Sequence, residues 1–276
     1  MTVIRAACVQ MRSGTEVAGN IASATALVRQ AAEAGAVFIA TPEMTNLLDI
    51  RPGMARPKIM AQEDDATLAA FRALAVELGL WLLLGSIAVT VEGEDRLANR
   101  SFLIAPDGEI VAHYDKIHMF DVEVGDGQTY RESRTYRPGT STALANAGIG
   151  RVGMTICYDL RFPALYRSLA QAGAQVLTVP AAFTRVTGEA HWHVLLRARA
   201  IETGCFVVAP AQGGKHEDGR ETYGHSLIIS PWGEILAEAD GDEPGVIWAD
   251  LDLDQVDKAR ARIPSLSNNQ MFGLDR

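Results

Sequence analysis

The chain repeats itself, and this limits its architecture more than any other feature. Ser101-Phe-Leu-Ile-Ala-Pro-Asp-Gly-Glu-Ile-Val-Ala112 matches Ser226-Leu-Ile-Ile-Ser-Pro-Trp-Gly-Glu-Ile-Leu-Ala237 at seven of twelve positions. Gln30-Ala-Ala-Glu-Ala-Gly-Ala-Val-Phe-Ile-Ala-Thr-Pro42 is echoed by Ser168-Leu-Ala-Gln-Ala-Gly-Ala-Gln-Val-Leu-Thr-Val-Pro180. The first pair has the form of a β-hairpin. The second reads as a helix end, a glycine cap, a buried strand and a proline. Turn and cap residues recur in unrelated chains. Even so, both echoes fit two related α/β halves, with two sheets packed face to face and helices outside. No Pro/Gly/Ser-rich linker separates the halves, so residues 1–276 are expected to share one core as a single domain.

The element pattern agrees. Val3–Met11 is an apolar, buried strand. Asn20 is placed to cap a helix to Ala34, with Ile21, Ala24, Leu27, Val28 and Ala31 on one face. Gly35 then ends it, and Ala36–Thr41 forms a short strand. A second helix is expected over Asp65–Leu78, then strands at Trp81–Val89, Asn99–Ala105 and Glu109–Tyr114. Further on come a strand at Val152–Cys157 and helices at Ala164–Ala172 and Glu189–Thr203, the last with Arg197, Arg199 and Glu202 expected to pack and pair at an interface.

Charge narrows the partners. Lys and Arg number 25 against 34 Asp and Glu, a formal net charge of −9. That balance argues against sequence-independent nucleic-acid binding, which needs clustered positive charge. The longest apolar run, Leu78–Ile87, is too short to cross a bilayer. Three cysteines, Cys8, Cys157 and Cys205, make no disulfide framework. A cytoplasmic, reduced protein is the expectation.

Several motifs fail in context. Gly148-Ile-Gly150-Arg-Val-Gly153 precedes a strand instead of opening a helix, so it is no dinucleotide loop. Gly224-His-Ser226 is no nucleophile elbow, and Asn99-Arg-Ser101 is a glycosylation triplet without weight. His191-Trp-His193 cannot chelate as an i, i+4 pair does, and no acidic or cysteine ligand sits at useful spacing. No metal or cofactor is expected.

Three residues share another character. Cys157 closes an apolar strand and meets the polar turn Tyr158-Asp-Leu-Arg-Phe-Pro163. Glu43 ends the strand before it in Thr-Pro-Glu-Met, and Lys116 follows another in Tyr-Asp-Lys-Ile-His-Met-Phe-Asp. Each alone has an ordinary reading, a solvated strand end or, for Cys157, a small buried hydrophobe. Together they suit amide hydrolysis. A thiol is only a few per cent thiolate at neutral pH and needs a base. Glu43 could serve, its pKa expected to be raised by burial. Lys116 and the Tyr158 backbone N–H could hold the oxyanion. A Cys–His pair using His118, His191 or His225 stays open on spacing alone.

These segments resemble the three motifs of the nitrilase superfamily of carbon–nitrogen hydrolases, and the resemblance runs from Ala6-Cys-Val-Gln10 to Ile263-Pro264. It implies a four-layer α-β-β-α sandwich, a homodimer, and a Glu43–Lys116–Cys157 triad working through a thioester. It further implies that Glu132, in Arg131-Glu132-Ser133 ahead of Pro138-Gly139, positions substrate and lysine. Thr187–Thr203 and Tyr223-Gly-His-Ser226 look most like the branch of deaminated glutathione amidase and omega-amidase. Residues 125–130 match neither cleanly and border the expected substrate mouth. Such substrates carry a carboxylate and so require a cation. Arg161 is the candidate, as an arginine at the matching place holds the carboxylate in N-carbamoyl amino acid hydrolases of this superfamily. Arg161 could instead pair with Asp159 structurally; Arg185 is the second candidate. The expected reaction is hydrolysis of an amide in deaminated glutathione. The alternatives are an omega-amidase of α-keto-ω-amides, an N-carbamoyl amino acid hydrolase, or a silent scaffold.

Overall fold

The computed structural model describes residues 3–125, 129–271 and 273. Two six-stranded sheets carry the molecule. One runs Gly245–Asp252, Val3–Gln10, Phe38–Ala40, Trp81–Val89, Ala98–Ile104, Ile110–Asp115 across its width. The other runs Ala143–Ala147, Gly150–Met154, Val176–Thr178, Phe206–Ala209, Leu227–Ile229, Ile235–Glu238. Read in these directions they share one plan. An antiparallel edge precedes three parallel strands, and two antiparallel strands close the sheet. The two repeats seen in the sequence fall on equivalent hairpins and equivalent helix–strand junctions.

Period-two alternation builds the layers. In the strand Val3–Gln10, Ala6 and Cys8 share the core between the sheets with Val152, Met154, Val207 and Leu227 of the other sheet. Ala7 and Val9 belong to a second, outer core with Ala24, Val28 and Ala31 of helix α1 (Val17–Glu33) and Leu68, Phe71 and Ala75 of α2 (Ala66–Leu78). Helices α3 (Pro163–Gln171) and α4 (Arg185–Thr203) cover the second sheet. The result is the expected α-β-β-α order.

Some local expectations needed correction. Helix α1 begins at Val17, so Asn20 lies inside it and is no cap. Its amide instead accepts from the Gly14 N–H and donates to the Gly14 and Asn46 carbonyls, pinning the loop before the helix. Asp65 does cap α2, accepting from the Leu68 N–H. Helix α4 starts four residues before the expected Glu189. Cys205 lies just before the strand Phe206–Ala209.

The plan matters because three strands of the two sheets deliver their carboxyl ends to one place. Phe38–Ala40 leads to Glu43, Ile110–Asp115 to Lys116, and Gly150–Met154 to Cys157. The approach is close enough to need a glycine. A Cβ on Gly85 would lie 1.8 Å from the Thr41 carbonyl oxygen and 2.7 Å from Cβ of Pro180.

Candidate active site

Cys157 opens a 3₁₀ turn, Cys157–Arg161, and has a φ of 48°, left-handed for a residue that carries a Cβ. Such strain persists only where the surroundings over-determine it. The Cys157 N–H donates to the Pro180 carbonyl. Arg199 donates from Nε and Nη2 to the Leu160 carbonyl, at 2.9 and 2.7 Å, so α4 grips the turn within the chain. Asp159 binds it from the other side. Its carboxylate accepts from the Ile156 N–H, the Tyr114 hydroxyl and the His118 N–H, and contacts His118 Nδ1 at 2.7 Å. Asp159 therefore joins the Cys157 turn to the segment carrying Lys116 and does not pair with Arg161.

Glu43, Lys116 and Cys157 are all buried. Lys116 Nζ donates to Glu43 Oε1 at 2.9 Å and to both oxygens of Glu132 at 3.0 and 2.9 Å. Glu43 Oε1 also accepts from Asn99 Nδ2, and its Oε2 from the Ala182 N–H, both at 2.9 Å. Gln212 Nε2 donates to the Glu43 carbonyl at 3.1 Å. Glu132 accepts in addition from the Phe120 N–H. Two carboxylates thus surround one ammonium whose three hydrogens are all engaged.

The charges follow from that packing. Burial pushes the Glu43 carboxyl up, but the adjacent Lys116 ammonium and its hydrogen bond win, leaving the carboxyl below its ordinary value. The raised pKa expected from burial alone is therefore overturned: the cation beside the carboxylate decides the direction. Burial likewise pushes Lys116 down, and Glu132 and Glu43 more than reverse it, so the amine is held charged. Burial and the facing Glu43 carboxylate push the Cys157 thiol up. The resting site is a neutral thiol beside an ionised carboxylate and an ammonium, suited to proton transfer during attack and not before it.

These groups open into a cavity of about 760 Å3, lined by Phe120, Tyr130, Tyr136, Tyr158 and Phe183 among others. Thr129 and Tyr130 do border the mouth; residues 126–128 of that segment lie outside the described residues. The Tyr158 N–H lies in the first turn, just after Cys157, where backbone donors lack intrahelical partners. Arg161 is not among the lining side chains. Its guanidinium lies over the Phe183 and Tyr158 rings, 5.2 and 5.9 Å from their centroids, and 3.3 Å from His191 Nδ1. Arg185 is committed to Asp242 and Glu221. His193 finds an acidic neighbour that spacing could not show: it and His225 share Glu238 Oε1 at 2.9 and 3.0 Å. That trio stands apart from the cavity's lining.

Sequence reasoning missed Asn99, Asp159 and Gln212. Asn99 sat unrecognised in a glycosylation triplet, and Asp159 was read as a partner for its near neighbour in sequence.

A chain of this fold and family is a hydrolase of carbon–nitrogen bonds other than peptide bonds. It belongs to the carbon–nitrogen hydrolase family, whose model matches residues 5–261. Among named relatives, the deaminated glutathione amidase of Synechocystis sp. is 42% identical over 268 residues, covering 95% of this chain and 97% of its own. The human deaminated glutathione amidase is 38% identical over 92% of this chain and 79% of its own. Of solved structures, Nit3 of Saccharomyces cerevisiae, described as a member of branch 10 of the nitrilase superfamily, superposes with a TM-score of 0.87 at 27% identity over 98% and 97% of the two chains. The NitFhit protein of C. elegans reaches 0.89 at 34% identity, over 97% of this chain but 65% of its own length.

Proposed function

We propose that the protein is an amidase for small carboxylated amides, deaminated glutathione first among them, with Cys157 as nucleophile, Glu43 as base and Lys116 as oxyanion stabiliser. The observation that carries this is the contact of Lys116 with Glu43 at 2.9 Å beside a buried, strained Cys157, at the head of a cavity large enough for a tripeptide-sized ligand. Names of relatives supply the substrate.

The Cys157 thiol attacks the amide carbonyl as its proton passes to Glu43. The new oxyanion takes the Tyr158 N–H and one Lys116 hydrogen, which Glu132, holding two, is placed to give up. Collapse breaks the C–N bond; Glu43 returns the proton to the departing amine, which for deaminated glutathione is Cys-Gly. Glu43 then takes a proton from water, the hydroxyl oxygen attacks the thioester, and as the C–S bond breaks Glu43 returns that proton to the sulfur, restoring thiol and carboxylate. Removing one oxyanion donor typically costs about 10²–10³ in kcat.

The same reading holds the chain to be one domain, since the strand Gly245–Asp252 completes the sheet begun by Val3–Gln10. It also holds the protein to be a cytoplasmic homodimer. Exposed Val194 and Ile201 on α4 give a self-complementary apolar face a place to form, and no helix among the described residues is long and apolar enough to cross a membrane. Sedimentation at micromolar concentration tests the dimer; a monomer there would remove it. For the chemistry, intact-protein mass spectrometry on quenched mixtures with deaminated glutathione should show an acyl adduct absent from Cys157→Ala. Product formation without a Cys157-dependent adduct or burst would overturn the thioester route.

A further inference from the structure

An acidic substrate needs a cation inside the cavity, and the arginines that line it are not equivalent. Arg51 is held by Asp49 through two bonds of 2.8 and 2.7 Å. Arg131 is held by Glu123 at 2.8 Å. Arg56 and Arg134 stand exposed, where water screens a charge. Arg220 differs from all four. It is half-buried, and its Nε is buried with no hydrogen-bond partner.

The acids nearest Arg220 in sequence are each turned elsewhere. Glu217 accepts from the N–H and hydroxyl of Thr15. Asp218 spends one oxygen on the Ile50 N–H and the other on the Arg220 backbone N–H. Glu221 faces Arg185. A buried guanidinium N–H without an acceptor is costly, so the fold keeps the Arg220 Nε donor unpaired in a wall of the cavity that holds Cys157. The fork is also well placed. Thr222, two residues on, pairs with Thr184, which lines the same cavity with Thr187. Tyr136, half-buried, lines the same cavity with Arg220, Lys116 and Glu43.

We infer that Arg220 anchors the carboxylate of the substrate through its guanidinium fork while the amide carbonyl lies at Cys157. A planar fork matches a carboxylate with two parallel bonds, which an ammonium cannot do. The inference rests on the reading that the substrate is an acidic amide, and it moves the anchor away from Arg161.

Kinetics on deaminated glutathione and on its carboxyl-esterified form test it, using wild type, Arg220→Met, Arg220→Lys and Arg161→Met. Arg220→Met should raise KM for the acid about 10- to 100-fold, the worth of a charge-assisted pair, with kcat within about threefold. The ester should be turned over equally by wild type and Arg220→Met, lysine should recover part of the loss, and Arg161→Met should stay near wild type. An unchanged KM in Arg220→Met, or an equal loss on acid and ester, overturns the inference. A wild type indifferent to esterification overturns the acidic-substrate reading itself, a separable result. Binding gives a readout free of turnover: 2-oxoglutarate should raise the Tm of Cys157→Ala, and adding Arg220→Met should abolish the rise. A rise that survives overturns the anchor.

Discussion

The two halves of the molecule share a scaffold and divide the chemistry unequally. Pro42-Glu43 and Pro180-Ala181 occupy equivalent positions after equivalent strands, Phe38–Ala40 and Val176–Thr178. In the first half that position carries a charged side chain. In the second it is alanine, and the next residue, Ala182, gives its N–H to the Glu43 carboxylate. The first half supplies the charges of Glu43 and Lys116, and the second supplies the strained Cys157 together with a backbone donor. A repeated sheet therefore brings loop ends together without fixing what they carry. Function arises where the repeat is broken.

The largest effect should come from the second half's contribution. Cys157→Ala is expected to abolish turnover with Tm nearly unchanged, since one sulfur is lost and no charge is stranded; residual activity above about a hundredth would break the assignment. Lys116→Ala should lose activity by orders of magnitude and, unlike Cys157→Ala, should also cost about 3–5 kcal/mol, because it leaves Glu43 and Glu132 buried without their cation. Equal melting temperatures for the two variants would mean that the charges of the first half add nothing to its stability.

Asp159 links the halves, so Asp159→Asn should act on both. Its amide cannot accept as many bonds as the carboxylate, and a loss of about 1–3 kcal/mol is expected, with reduced kcat. Denaturant melts and single-turnover kinetics would show whether one change occurs without the other. Acid should act more gently. Glu43 is held below its ordinary carboxylate value, so its contribution to stability is complete above about pH 4.5, the unfolded value, and fades as pH falls through the lower folded value. The kcat/KM profile should accordingly be flat on its acid side down to about pH 4.5. A limb centred near neutrality would point to histidine in place of Glu43. The smallest effect belongs to Arg185→Ala, whose partly exposed pairs with Asp242 and Glu221 should be worth less than about 1 kcal/mol, with KM unmoved.

Much of this fold is legible in the sequence itself. The hairpin and helix–strand repeats located the two sheets, because turns and caps write their requirements in consecutive residues. Glu43, Lys116 and Cys157 stood out as reactive groups at strand ends. What escaped lies across the chain. Asn99 reaches Glu43 over 56 residues, and Asp159 reaches Tyr114 over 45. No local spacing encodes such partners. The direction of the Glu43 pKa failed for the same reason: burial could be read from an apolar strand, but not the distance to an ammonium arriving from another strand.

The pairing of Val3–Gln10 with Gly245–Asp252 has a consequence in time. Val3 lies opposite Asp252 and Gln10 opposite Gly245, so a strand made early waits for its partner until all the intervening chain has been made. While the ribosome works through the residues between, one margin of the first sheet has unpaired backbone and its neighbours can dock only provisionally. Pairings of such long separation close slowly and leave an edge open to other chains. Folding to the hydrolytic state should thus await synthesis of Gly245–Asp252, and chaperone dependence should concentrate in that interval.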